Sequence, residues 1–397
     1  MDGSILLTGA TGFLGGHLLL YLLKHTDAAI YCLARRKAAL PTAERLRRRL
    51  AEILAASVAG DPLFEVNLDC EWARVRVLEG DLRQSRLGLT ADHYDSIRVD
   101  DIWHVGADVD FSEQRRDAIF TTNLNGIRHV LEFAQTHGNP TLNYVSTAYV
   151  CGERFGCIPD EPADEGFAAN NAYEESKRAA ERAVLQAHAQ GGLPIRIFRP
   201  GIIVGHSRTR VIDKASGMHT YLMGLYRTKE AVDAQMPEHF KNVPVTFLVG
   251  DDATLSLISV DHVVEAMYRI ARRGETIGEI VHITNPYPTD LPQLLHMLAD
   301  VFDAKVKTSS DVGRLNAIDL LVSEKTKPFH PYFLNNKQFD CSKMVRLSNI
   351  PAEAFRIAEP VKLELLRRSF ECHLSDPRLQ VLRRRRVSTR EVNSCSK

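Results

Sequence analysis

Leu7-Thr8-Gly9-Ala10-Thr11-Gly12-Phe13-Leu14-Gly15 is the stretch whose reading decides the fold. It joins a short apolar run, SILLT at residues 4–8, to a run so apolar (FLGGHLLLYLLK, residues 13–24) that a helix over 12–25 has to be buried. A glycine fingerprint carries meaning only in such a strand–turn–helix setting. There Gly9 permits the tight turn, Gly12 lets the backbone approach a pyrophosphate, and Gly15 allows close packing of helix on strand. The helix N-terminus adds a dipole suited to an anion. The competing reading is a glycine-rich turn with no ligand; the position at the head of an alternating chain weighs against it.

Outward from this turn, strands are expected at 29–33, 74–78, 101–105, 142–146 and 194–198. Helices are expected at 41–57, 113–136 and 172–189. Strands alternating with helices of this length imply an α/β fold, a Rossmann-type doubly wound parallel sheet. Beyond Arg199 the pattern loosens, with helices near 215–226, 258–272, 289–302 and 360–373 and a strand at 279–283. Residues 303–350 read as irregular. The expected organisation is a dinucleotide-binding domain over 1–205, with contributions from about 250–285. A smaller, mostly helical and discontinuous substrate lobe covers 206–386, and 387–397 have the composition of a disordered tail.

Fifty basic residues balance fifty acidic ones among 397, so no global field suggests nucleic acid or an anionic membrane as a partner. The seven cysteines are scattered without a CxxC pair. Neither zinc nor a disulfide framework is expected, and reduced thiols in the cytoplasm are the simplest account. The first ten residues already read as strand and turn, which leaves no room for a signal peptide. No apolar run reaches the roughly 20 residues of a transmembrane helix.

Cofactor choice is written at the end of the second strand, where an NAD site usually carries Asp or Glu for the ribose diol. Here IYCL runs into Ala34-Arg35-Arg36-Lys37, with no acid between Ala28 and Leu40. Cations at that point suit a 2′-phosphate, so NADPH is expected, with Arg35 as the primary contact. Solvated helix-entry charges are the plainer alternative. Asp81, after the third strand, is a weaker candidate for the adenine amino group.

Tyr173 and Lys177 stand four apart in AYEESK and share one helix face. Alone, such a pair is ordinary. With a nucleotide fingerprint upstream and Thr147 ending the strand NYVST at the sheet's carboxyl edge, it acquires a chemistry. Hydride arriving at a carbonyl carbon puts charge on oxygen, which needs a donor and then a proton. A tyrosine of pKa about 10 serves poorly until a nearby ammonium favours its phenolate.

TGATGFLG (8–15), GDL (80–82), HVGADV (104–109), NLNG (123–126), VSTAYV (145–150), YEESK (173–177) and RPGIIVG (199–205) occur in one order. Together they resemble the extended short-chain dehydrogenase/reductase superfamily over roughly residues 4–285. The long charged link between Arg35 and Asp81, the segment SRLGLTADHYDSI (85–97) and RPGIIVGHSRT (199–209) are similar to its thioester reductase branch. That branch comprises peptide synthetase reductase domains, carboxylic acid reductases and fatty acyl-CoA reductases. The resemblance implies reduction by NADPH of a CoA- or carrier-protein-bound thioester to aldehyde, or onward to alcohol, with Thr147, Tyr173 and Lys177 catalytic. It implies cofactor contacts from Thr8, Gly9, Thr11, Gly12, Phe13, Leu14, Gly15, Arg35, Arg36, Asp81, Leu82, Gly106, Ala107, Asn123, Tyr173, Lys177, Pro200 and Ile203. Residues 286–397 match the branch poorly, and neither an adenylation nor a carrier domain is in the chain.

Other features weigh less. Asp108 and Asp110 read as turn-closing residues, with substrate contact as the alternative. His206, His219 and His239 lack ligand spacing, Tyr149 and Cys151 read either as lining the site or as packing, and Arg383–Arg386 as a solvated run or a dock for an acidic carrier protein. The rival function is a reductase or epimerase for a ketone, steroid, flavonoid or nucleotide sugar. A nucleotide-sugar enzyme would cluster cations for the diphosphate, for which Arg208, Arg210 and Lys214 are the candidates. A non-catalytic NADP-binding regulator would normally have lost part of the tyrosine–lysine pair.

Overall fold

In the computed structural model, which describes residues 3–37, 40–58, 61, 63, 65–212 and 217–374, seven strands form one parallel sheet. They are β1 (Ser4–Thr8), β2 (Ala29–Ala34), β3 (Val75–Glu79), β4 (Asp101–His104), β5 (Thr141–Val145), β6 (Ile195–Pro200) and β7 (Ile280–Ile283). Their spatial order is β7-β6-β5-β4-β1-β2-β3. The strands are apolar because helices cover both faces of a doubly wound sheet. The order reverses between β1 and β4, and such a switch point opens a crevice at the carboxyl ends of the strands.

Helix α1 (Phe13–His25) buries ten of its residues, as its composition requires. Helix α2 (Thr42–Ala55) buries only Thr42, Leu46, Leu50 and Ile53, the single stripe of an amphipathic surface helix. The expected helix over 113–136 is not continuous. A 3₁₀ turn (Glu113–Arg115) and a short helix (Arg116–Phe120) lead through a π turn (Thr121–Asn125) into α3 (Gly126–Thr136). Helix α4 (Ala172–Gly191) starts at Asn171, whose side chain accepts the Glu174 N–H, and ends at Gly192 in the left-handed conformation. The expected helix at 258–272 is α5 (Val260–Ala271), preceded by a short strand, Leu257–Ser259.

The chain divides into two compact units. The first contains Met1–Thr209, Thr254–Thr289 and Asn335–Ile357, so the last of these pieces, which the sequence placed in the second lobe, belongs with the sheet. The second contains Arg210–Ala253, Asp290–Leu334 and Ala358–Lys397. It holds the helices Gly217–Asp233, Leu291–Phe302, Ala317–Thr326 and Glu359–Leu374 and a parallel strand pair, Val245–Leu248 with Val306–Ser309. The irregular reading of 303–350 is therefore corrected. That span carries a strand, the helix Ala317–Thr326 and, in the first unit, the strand Lys337–Phe339 and the helix Ser342–Ser348. Asn316 and Asp319 form a capping box at the start of Ala317–Thr326, which overrides its weak apolar periodicity. Lys214, Arg383–Arg386 and residues 387–397 lie outside the described residues.

One buried ion pair joins α4 to the sheet. Arg199 on β6 donates to Glu181 through Nε (2.9 Å) and Nη2 (2.6 Å), and each side chain is 2% exposed. A third bond runs from Arg199 Nη1 to the Glu161 carbonyl. Removing one partner leaves the other charge buried and uncompensated. Glu181→Ala is expected to lower unfolding stability by about 3–5 kcal/mol in urea titrations. The double variant Glu181→Leu/Arg199→Met should recover most of that loss.

Candidate functional site

The glycine turn sits at the switch point. Gly9 has φ +80°, and a Cβ there would lie 2.7 Å from Gly106 N. A Cβ on Gly15 would meet the Gly9 carbonyl at 2.2 Å, so α1 packs on the turn with no room for a methyl group. Gly12 caps α1, and its N–H donates to the Gly9 carbonyl at 2.9 Å. No side chain caps the helix start and its first turn has no acid. Exposed Thr11 and Gly12 lead to half-buried Leu14 and buried Phe13. A cradle of close backbone and uncapped helix N–H groups fits a dinucleotide pyrophosphate.

Thr8 has a different position from its neighbours. It is fully buried, and its hydroxyl bridges His104 Nδ1 (2.9 Å) and the Gly106 N–H (3.1 Å), tying β1 to the loop after β4. Burial holds His104 neutral, its pKa lowered to about 3. A Cβ on Gly106 would lie 2.9 Å from Leu82 Cδ1, so Leu82 and half-buried Ala107 stand beside the turn. Arg35 and Arg36 are exposed at the end of β2. Asp81 is gripped by Arg83, with Nε at 3.0 Å and Nη2 at 2.6 Å, and this contact holds the carboxyl below its usual range despite partial burial.

Asn123, on the π turn, bridges two halves of the site. Its amide accepts from Asp108 N (2.8 Å) and donates to the Asp108 carbonyl (2.9 Å) and to Ser176 Oγ (2.9 Å). Ser176 in turn donates to the Tyr173 carbonyl at 2.7 Å. The extra residue of a π turn rotates this amide out of helical register, a common device at functional sites.

On α4, Tyr173 is half-buried and hydrogen-bonded to the Thr147 side chain. Burial, reinforced by Glu174, pushes its phenol above the ordinary value, and the Thr147 bond opposes this. Thr147 also accepts the Tyr149 N–H at 3.3 Å, which fixes the turn Ala148–Cys151. Lys177 is 2% exposed; its Nζ donates to the Val145 carbonyl at 2.7 Å and lies 4.3 Å from the centre of the Tyr144 ring. Burial lowers its pKa to about 7, opposed by Glu181. Thr147, Tyr173 and Lys177 thus converge at the carboxyl end of β5. Pro200 ends β6, and Ile203 follows in the short strand Ile202–Gly205.

The sequence did not single out Tyr144, Ser176, Glu113 or Phe111. Glu113 accepts the Ala172 N–H at the start of α4 (2.9 Å), and the Phe111 ring stacks on Tyr173. None of these contacts has a local spacing signal. Of the other candidates, buried His206 accepts the Arg208 and Thr209 N–H groups and faces Asp61, so it is a structural histidine. Arg210 is paired with Glu364. Asp108 and Asp110 both bind Arg115. Among the described residues no group of His, Cys, Asp or Glu is placed to hold a metal, and no helix is long and apolar enough to cross a membrane.

A doubly wound sheet with this turn and this threonine–tyrosine–lysine set has the architecture of an extended short-chain dehydrogenase/reductase. Residues 7–267 match the family model described as Male sterility protein, an NAD-binding family that takes in the thioester reductases, and the chain belongs to that family. Family and relatives mark the chain as an oxidoreductase of the short-chain reductase type, and proteins of that family bind a nicotinamide dinucleotide. A linear gramicidin synthase of Brevibacillus parabrevis is 30% identical over 297 residues, which are 73% of this chain and 5% of that protein. Aldehyde reductase lnaA of Aspergillus flavus is 26% identical over 379 residues, 88% of this chain and 33% of that protein. The chain thus spans at most a third of either curated relative. The crystal structure of the terminal R domain from the myxalamid PKS-NRPS biosynthetic pathway superposes with a TM-score of 0.73 at 26% identity, covering 93% of this chain and 90% of that one.

Two measurements probe the site. Gly9→Ala forces a side chain against Gly106 at positive φ and is expected to weaken dinucleotide binding at least about tenfold, read by fluorescence titration. Lys177 is the second. With its pKa lowered from 10.5 to about 7, the unfolded chain binds more protons than the folded one between those values, so stability rises with pH across that window. Lys177→Met should raise the thermal midpoint at pH 6, with the gain shrinking towards pH 10.

Proposed function

We propose that this chain is an NADPH-dependent reductase that converts an acyl thioester, presented on a carrier protein or on CoA, to the aldehyde. The observation that carries this reading is the convergence of Thr147, Tyr173 and Lys177 at the carboxyl edge of the sheet, supported by the likeness of 93% of the chain to a terminal reductase domain.

Arg35 and Arg36, exposed where the second strand ends without an acid, suit a 2′-phosphate. Gly9, Gly12 and the α1 N-terminus would hold the pyrophosphate, and Lys177, Pro200 and Ile203 would flank the nicotinamide half. When bound, the reduced nicotinamide supplies a hydride to the thioester carbon. Thr147 Oγ1 and Tyr173 Oη would hold the carbonyl oxygen as charge develops on it. Tyr173 then gives that oxygen its proton, and Lys177, as an ammonium, stabilises the phenolate left behind. The resulting hemithioacetal loses its thiol as the C–S bond breaks, and the carbonyl re-forms as an aldehyde. A second turnover on the same residues would give an alcohol.

The test combines the purified chain with NADPH or NADH and a panel of acyl-CoA, acyl-pantetheine and acyl-carrier-protein thioesters. Cofactor oxidation is followed alongside an aldehyde trap. Tyr173→Phe should lower kcat by about 10²–10⁴-fold with dinucleotide binding retained. Arg35→Ser/Arg36→Ser should weaken NADPH binding by about 10–100-fold and leave NADH nearly unchanged. Because Lys177 is charged only below about pH 7, the rate should fall as pH rises through that value. Reduction of ketones but of no thioester would sink this reading.

A further inference from the structure

We infer that Phe111 sets substrate specificity: its ring is the wall against which the first carbons of the acyl group lie, and it selects against branching next to the reacting carbonyl. This inference rests on the thioester-reductase reading of the site. The Phe111 and Tyr173 ring centroids are 5.9 Å apart with planes inclined by 29°. A stack of this kind adds attraction beyond area burial and holds both rings in place. With one face of the phenol covered, its reactive edge is the hydroxyl, which is bonded to Thr147. A carbonyl that reaches those two hydroxyls therefore enters beside Phe111.

The loop that carries Phe111 is braced along its length. Asn123 holds the Asp108 backbone on both its N–H and its carbonyl. Arg115 binds the Asp108 and Asp110 carboxylates at 2.8 and 2.7 Å. Past the ring, Glu113 accepts the first N–H of α4, and Arg116 Nη2 donates to Glu175 on the same helix at 2.6 Å. Phe111 is thereby clamped to the helix that bears Tyr173, and a bulkier substrate meets a fixed ring. The two substituents on a thioester carbonyl differ in what they require of such a wall. A pantetheine arm carries an amide two carbons from sulfur and needs hydrogen-bond partners, which a phenyl ring does not supply. The acyl side needs only apolar contact, so it takes the ring.

The experiment compares the wild type, Phe111→Ala and Phe111→Leu on straight-chain and α-methyl acyl-pantetheine thioesters of equal carbon number. One methyl group in a shaped apolar pocket is worth about 10–200-fold in kcat/KM. Phe111→Ala should therefore raise the branched-to-straight ratio of kcat/KM by at least about tenfold, with Phe111→Leu between it and the wild type. Dinucleotide affinity should stay within about twofold, a check that the site is intact. If Phe111→Ala fails to fold, the Phe111→Leu ratio decides. Thioester reduction with the ratio unchanged in the variants overturns this inference alone, whereas a wild type that reduces no thioester overturns the functional reading and this inference with it.

Discussion

A guanidinium and a carboxylate removed from water cost several kcal/mol each unless they meet each other in good geometry. Arg199 and Glu181 meet that condition, and Glu181 stands one helical turn beyond Lys177, itself one turn beyond Tyr173. The pair therefore sets the rotation of α4 about its own axis. With Glu181 turned to β6, Lys177 reaches the end of β5 and Tyr173 meets Thr147. The surroundings of the pair are polar and closely matched. His282, kept neutral by burial, stands between Arg199 on one side of its ring and Asp160 on the other, and burial pushes the Asp160 carboxyl up to about 6.

The second constraint is steric. Gly9, Gly15 and Gly106 bring three stretches of backbone within a methyl group of one another, so the crevice at the strand-order reversal is lined by main chain. Main-chain N–H groups need no rotamer search and carry no competing charge. The ion pair orients the face of α4 that carries Tyr173 and Lys177, and the glycines shape the crevice. The two arrangements meet at Asn123, which bonds the loop after β4 and, through Ser176, the first turn of α4.

The sequence was informative wherever the determinant is local. The glycine turn is a run of adjacent residues, and the tyrosine–lysine pair is a helical spacing; both survive reading along one line. The doubly wound parallel sheet followed from alternation, though not its count of seven strands. What escaped notice is what depends on distant partners. Phe111 matters because Tyr173 lies across from it, and Tyr144 because Lys177 does. The helix expected over 113–136 is interrupted because the Asn123 amide serves tertiary bonds, which no propensity records. The helix Ala317–Thr326 is a different case, since its capping box was present in the letters NAID and went unused.

The loop past Thr147 receives its support from far along the chain. Buried Lys337 donates to the Gly152 and Arg154 carbonyls, and the strand Lys337–Phe339 pairs in parallel with Gly156–Ile158. The family model ends at residue 267, yet the sheet-bearing unit draws on residues up to Ile357. Synthesis proceeds from the N-terminus, and domains ordinarily complete themselves in that order. Here the nascent first unit lacks its last piece until two of the three pieces of the second have been translated. Pairing across so long a stretch of chain is slow in general, and until it forms the strand Gly156–Ile158 lacks the partner that completes it.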